Sequence, residues 1–187
     1  MPNGASWFIA WPLSELPELS LPPLPANFRR FPDADLHLTL AFLGRCGPVL
    51  AERAVAELHA RLAEHPLSAF DVTLGSVVPM GPRHHYSALS ALLDVGHDAA
   101  AAAMARLRDA LTDVVGAPRD TRTPKPHVTL ARPQRKATHS DRRAGLEWAS
   151  QVDLGSAGTR LDRIALYTWS DNRSERLFRV VDEVPLR

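Results

Sequence analysis

A chain of 187 residues, 45% of them hydrophobic, is long enough to bury one sizeable core and too apolar for a disordered segment. Its 22 basic and 21 acidic residues leave a formal charge of +1, which argues against the broad basic coat of a non-specific nucleic-acid binder and confines any RNA contact to a local site. The single cysteine, Cys46, excludes an intrachain disulfide and a thiolate metal cluster, and reads as a small buried or loop residue.

The opening MPNGASWFIAWPL has no basic leader, and its apolar run is too short for a signal peptide or a membrane span, so a soluble cytoplasmic protein is expected. Residues 7–11 have strand composition and stop at Pro12. From there to residue 35, Pro12, Pro17, Pro22, Pro23, Pro25 and Pro32 rule out a long helix. An irregular connection with one short helical turn near residues 14–19 is predicted. In LHLTLAFLG, residues 36–44, Leu36, Leu38, Leu40 and Phe42 share one parity, and His37, Thr39, Ala41 and Leu43 the other. That period of two predicts a strand.

Pro48 opens a helical pattern that runs to about Glu64, with Leu50, Ala54, Leu58 and Leu62 recurring every fourth residue until Pro66 stops it. Residues 70–78 alternate again, a Gly/Pro turn spans 79–82, and residues 86–95 return, predicting a hairpin. An alanine-rich helix is expected over 97–115, burying Met104, Leu107, Leu111 and Val115, with Gly116 placed to end it. A basic loop, 117–126, leads into PHVTLARP, a second short strand. Residues 134–150 are polar with room for a short helix, and residues 161–169 and 177–186 read as two final strands joined by SDNRSE.

The central feature is a repeat: HLTL at 37–40 recurs as HVTL at 127–130, each within a matching context of helix and strands. Two matched halves in a chain of this size predict an α+β fold with internal pseudo-two-fold symmetry. We expect a single domain over residues 1–187, made of two similar lobes, with two antiparallel sheets lining a central cleft and helices outside.

Alternate residues of a strand share a face. His37 and Thr39 therefore project together, as do His127 and Thr129, with Leu38, Leu40, Val128 and Leu130 turned to the core. Imidazole titrates near ~6.5, so one ring can be neutral while its twin is protonated. The pair can then accept and donate protons on opposite sides of a phosphoryl centre, with hydroxyls holding its oxygens. Arg132, three residues after Thr129, suits a bidentate phosphate contact. The loop cations Arg119, Arg122 and Lys125 suit attraction of a polyanion, but a solvated connection explains them as well. One His-x-Thr alone would be commonplace on a strand; two matched copies point to catalysis. Two histidines are too few for a typical zinc site, and no carboxylate holds a matched position in both halves, since Asp33 and Asp35 face Pro124, Lys125 and Pro126. No metal and no cofactor are expected. His59, His65, His84, His85, His97 and His139 fall in helices, turns and loops and carry no matched partner.

HLTLAFLG together with HVTLAR closely resembles the 2H phosphoesterases, in particular the RNA 2′,3′-cyclic phosphodiesterase branch whose bacterial and archaeal members are called 2′-5′ RNA ligases. WFIAWPL resembles that branch's opening strand, and LYTWS with FRVVDEVPL its closing pair, so the likeness spans most of the chain. The resemblance implies hydrolysis of a 2′,3′-cyclic phosphate to a 2′-phosphate. His37 is the implied general acid toward the departing 3′ oxygen and His127 the base toward water, two labels that pseudo-symmetry leaves exchangeable. Thr39 and Thr129 are implied to hold non-bridging oxygens and Arg132 to clamp the phosphate. The implied partners are RNA ends bearing cyclic phosphates, such as tRNA halves, and small cyclic nucleotides; the reverse reaction would join such an end to a 5′-hydroxyl. Family members carry a helix between the first strand and the first motif, where this chain is proline-rich. Phe8 and Phe42 are candidates to stack on a base, with core packing the competing reading of each. Two other functions fit the same residues: action on an ADP-ribose cyclic phosphate, and a non-catalytic module that binds RNA ends. The near-neutral charge favours a monomer.

Overall fold

Period-two alternation, cut by prolines and glycines, resolves into strands in the computed structural model, which describes residues 4–13 and 15–187. These are β1 (Trp7–Pro12), β2 (Phe28–Arg30), β3 (His37–Gly44), β4 (Phe70–Met80), β5 (Ala88–Leu93), β6 (His127–Pro133), β7 (Gly158–Leu161), β8 (Arg163–Trp169) and β9 (Phe178–Pro185). The helices are α1 (Pro48–Glu64), α2 (His97–Val114) and α3 (His139–Gln151), and a 3-10 turn covers Asp33–Asp35. None of them is long and apolar enough to cross a membrane.

All pairings are antiparallel, and the strands run in the order β7-β4-β5-β6-β3-β1-β8-β9 in one curled sheet. Four strands lie on either side of the seam between β6 and β3, so the two His-x-Thr strands are the central pair. The expectation of two separate sheets is thus corrected to one. Leu38 opposite Val128 joins the two matched strands side by side by backbone pairing. Beyond that point β6 pairs with β2, Phe28 to Arg30 opposing Pro133 to Ala131.

One face of the sheet carries the main core, in which Leu38, Leu40, Val128 and Leu130 are each at most 1% exposed. Helix α2 packs on β3 and on α1. It buries Ala100, Ala103, Met104, Leu107 and Leu111, while α1 buries Ala51, Ala54, Val55 and Leu58. Pro48 at the first turn of α1 supplies a preset φ where an N–H would lack a partner. The polar stretch after β6 forms the 13-residue α3, started by a capping box in which Thr138 and Asp141 satisfy each other's backbone N–H groups. Gly145 lets α3 sit close to the sheet, since a Cβ there would lie 2.3 Å from the Tyr86 hydroxyl and 2.5 Å from Phe28 Cζ.

The stretch between β1 and β3 differs from expectation. Residues 15–19 form turn and coil, not a helical turn, and Ser14 lies outside the described residues. Strand β2, only three residues long, was hidden among the prolines. The predicted strand over 161–169 divides at Asp162, whose carbonyl accepts from Leu186 N–H.

Candidate active site

Two β-bulges shape the site. In the β1–β3 ladder Ile9 opposes Ala41 and Ala10 opposes Thr39, so Leu40 is an extra residue. In the β5–β6 ladder Leu89 opposes Ala131 and Ser90 opposes Thr129, so Leu130 is extra in the same way. A bulge turns successive side chains to one side and resets the alternation beyond it. Burial follows this in both strands: His and Thr are half-buried, the bulged leucine and the alanine after it are buried, and the next residue is exposed. That next residue is Phe42 in β3 and Arg132 in β6. Unbroken parity would have turned Phe42 to the core; instead it is 59% exposed and lines a hollow of about 420 Å³ with Thr39 and His127.

At the seam, the antiparallel register about Leu38 and Val128 sets His37 across from Thr129 and Thr39 across from His127, all on the face opposite the main core. Each imidazole is fixed by the same device. His37 Nδ1 lies 2.7 Å from the Asp35 carbonyl oxygen, and His127 Nδ1 lies 2.7 Å from that of Lys125. A carbonyl only accepts, so Nδ1 carries the hydrogen in each ring and Nε2 is left to titrate. Thr129 is fixed in turn by Ser90, whose fully buried hydroxyl lies 3.3 Å from Oγ1 of Thr129.

The surroundings break the symmetry. His37 sits among Phe8, Tyr167 and Phe178, with ring centroids 4.8, 5.6 and 5.4 Å away. Burial pulls its pKa from 6.5 down to about 4; the Asp35 carbonyl works against that shift and the Arg132 charge adds to it. His127 is lowered too, first by burial, with the charges of Lys125, Arg132 and Arg122 adding to it and the Lys125 carbonyl opposing it. Burial thus favours the neutral form of both rings at neutral pH. An anion placed between them would favour protonation of either.

The structure brings His37, Thr39, His127, Thr129, Phe42 and Arg132 to one face. The Arg132 guanidinium lies over the Phe31 ring, 5.2 Å from its centroid. Phe8 is placed differently from the expectation of a stacking surface. It is 4% exposed, stacked on Tyr167 and edge-on to Phe178, so it backs the His37 ring and does not face a ligand. The basic loop borders the same hollow, where Arg122 pairs with Asp120 and Arg119 with Asp113. Cys46 lines a different hollow, of about 460 Å³, with Trp7, Arg45, Trp169 and Arg173. Among the described residues no three His, Cys, Asp or Glu side chains converge to hold a metal ion.

Sequence reading missed Asp35, Phe31, Ser90, Tyr167 and Phe178. Asp35 is 2% exposed and its carboxylate accepts from the backbone N–H groups of Leu177 at 2.7 Å and Phe178 at 3.3 Å. It thereby ties the start of β9 to the residues that orient His37. Its place two residues before the first motif was the only signal in the sequence, and nothing there showed its partner.

The profile of the 2′-5′ RNA ligase superfamily matches residues 23–173. No curated protein sequence matches the chain. Among solved structures, E. coli LigT complexed with 3′-AMP is similar at a TM-score of 0.65 and 19% identity, covering 98% of each chain. TT0787 of Thermus thermophilus is similar at 0.64 and 19% identity, covering 97% of this chain and 98% of that one. These likenesses show the same fold, and the profile covers most of the sequence: the chain belongs to the 2′-5′ RNA ligase superfamily of 2H phosphoesterases.

Proposed function

We propose that the protein is an RNA 2′,3′-cyclic phosphodiesterase that opens the cyclic phosphate to a 2′-phosphate. The observation that carries this reading is the matched pair of imidazoles, each with Nδ1 held by the carbonyl two residues before it and each across the seam from a threonine. A site that only binds an RNA end needs no such pair of proton carriers. Complexes of E. coli LigT with 3′-AMP and with phosphate fit a nucleotide-phosphate ligand on this fold.

In the forward direction water attacks phosphorus, forming one P–O bond as the P–O3′ bond breaks. His127, neutral, takes the proton of the attacking water. His37 gives a proton to the departing 3′ oxygen, and Thr39, Thr129 and Arg132 hold the non-bridging oxygens. Since burial favours neutral His37, its proton must arrive with the anionic substrate, whose charge offsets burial. Phe42 offers the exposed ring on which the terminal base stacks. The same displacement with a 5′-hydroxyl in place of water would give a 2′-5′ linkage without a nucleotide cofactor.

The test is incubation of 2′,3′-cyclic AMP in EDTA, with the product identified by phosphorus NMR. We expect 2′-AMP alone. Formation of 3′-AMP would reverse the assigned cleavage, and inertness toward cyclic AMP with turnover of an ADP-ribose cyclic phosphate would move the substrate class.

A further inference from the structure

Resting on the cyclic-phosphodiesterase reading, we propose that Arg29 and Arg173 form a second phosphate subsite. It takes the phosphodiester on the 5′ side of the terminal nucleoside and makes an oligonucleotide end the preferred substrate over a cyclic mononucleotide.

The observation begins with a like-charge pair. Arg29 and Arg132 are direct partners in the β2–β6 ladder, and residues so opposed project to one face. Both are exposed, and among the described residues neither makes an ion pair. Two guanidinia side by side repel unless an anion sits between or beside them. Arg30, the next residue of β2, does pair with a carboxylate, that of Asp33.

The β8–β9 turn extends this cationic edge. Arg29 Nη2 donates to the Arg173 carbonyl oxygen at 3.1 Å, and the Arg173 guanidinium is held over Trp169, 4.5 Å from the ring centroid. Arg176 in the same turn donates to the Ala34 carbonyl at 2.9 Å, and Asp35 accepts from Leu177 and Phe178 N–H. Those bonds tether the turn beside the His37 end of the site. Arg132 stands between the histidines and this edge, its charge felt at both imidazoles and its guanidinium on Phe31, which touches Phe178, which touches His37. A substrate that places its cyclic phosphate at the histidines and Arg132 therefore meets a second cationic position next to the first. A polynucleotide with a 3′-terminal cyclic phosphate has its next phosphate one nucleoside away, on the 5′ side. A cyclic mononucleotide has nothing to put there. This local edge also accounts for how a chain with a net charge of +1 could hold RNA.

The experiment compares kcat/KM for 2′,3′-cyclic AMP and for the dinucleotide ApA ending in a 2′,3′-cyclic phosphate, in wild type, Arg29→Gln, Arg173→Gln and Arg29→Lys. Wild type is expected to favour the dinucleotide. Arg29→Gln and Arg173→Gln are each expected to lower dinucleotide kcat/KM about ten-fold or more, the loss of a charge-assisted phosphate contact, chiefly through KM. Activity on cyclic AMP should stay within about two-fold, and Arg29→Lys should restore part of the dinucleotide preference. Equal losses on both substrates, or none on the dinucleotide, would overturn the subsite. If wild type turns over neither substrate, the catalytic reading falls, and the subsite is judged by binding of a single-stranded RNA tetramer. Retention of the subsite then requires that Arg29→Gln flatten the slope of log affinity against log salt by about 0.7 for each phosphate no longer neutralised. An unchanged slope would overturn it.

Discussion

Phe42 and Arg132 hold the same place in the two halves of the site. Each follows a bulged leucine by two residues, and each emerges exposed on the histidine face. One symmetric backbone thus supplies an aromatic ring to one end of the seam and a fixed cation to the other. The substrate class proposed here, a base joined to a phosphate, has the same two needs.

Phe42→Ala should raise KM for cyclic AMP about five-fold to 150-fold, since stacking of a base on an aromatic side chain is worth about 1–3 kcal/mol. With the ring 59% exposed, stability should hardly change, and Phe42→Trp should keep most of the affinity. Steady-state kinetics beside a urea melt separates these effects.

Arg132→Ala should lower kcat/KM by about 10- to 150-fold, the loss of a hydrogen bond to a charged group worth about 1.5–3 kcal/mol. Arg132→Lys should recover little, because a lysine neither forks onto two phosphate oxygens nor stacks flat on Phe31. A lysine variant with full activity would show that charge alone is needed there.

Acid should weaken the fold through His37. Well above pH 6.5 the ring is neutral in both the folded and the unfolded chain. As pH falls toward 4, the unfolded chain binds a proton that the folded site refuses, so stability drops, with a slope from this ring of up to about 1.4 kcal/mol per pH unit. His37→Gln should flatten that part of the stability profile. Sulfate, which does not titrate in this range, should bind more tightly as pH is lowered from 7 toward 5 and should raise the His37 pKa seen by NMR. Sulfate affinity independent of pH would contradict proton uptake on anion binding.

Gly145→Ala should destabilise the fold by about 1–3 kcal/mol through overpacking against Tyr86 and Phe28, less the helix propensity that alanine gains. Chemical denaturation measures this. A stabilised variant would mean that α3 can move off the sheet without loss.

The sequence made His37, Thr39, His127 and Thr129 visible because a strand's period of two is local and the motif occurs twice. It hid whatever depended on pairing. Leu40 and Leu130 look like ordinary inward residues until their partners in β1 and β5 show them to be extra, and only then does Phe42 leave the core. Tyr167 and Phe178 reach His37 from more than a hundred residues away, and Asp35 meets Leu177 over a comparable span, so no local pattern announces them. Strand β2 is three residues long in a proline-rich stretch, and its identity comes wholly from lying along β6. The single sheet was equally out of reach, because the repeat specifies two like strands and not how they meet.

The central claim is that His37 and His127 act as one proton-transfer pair on a cyclic phosphate. The direct measurement is kcat on 2′,3′-cyclic AMP for wild type, His37→Gln, His127→Gln and the double variant, with folding of each checked by circular dichroism. We predict that each single change lowers kcat by about 10²- to 10⁴-fold and that the double change costs little more than either alone, since the two rings act in one step. A single variant that keeps wild-type activity, or losses in the double variant that simply multiply, would contradict the account.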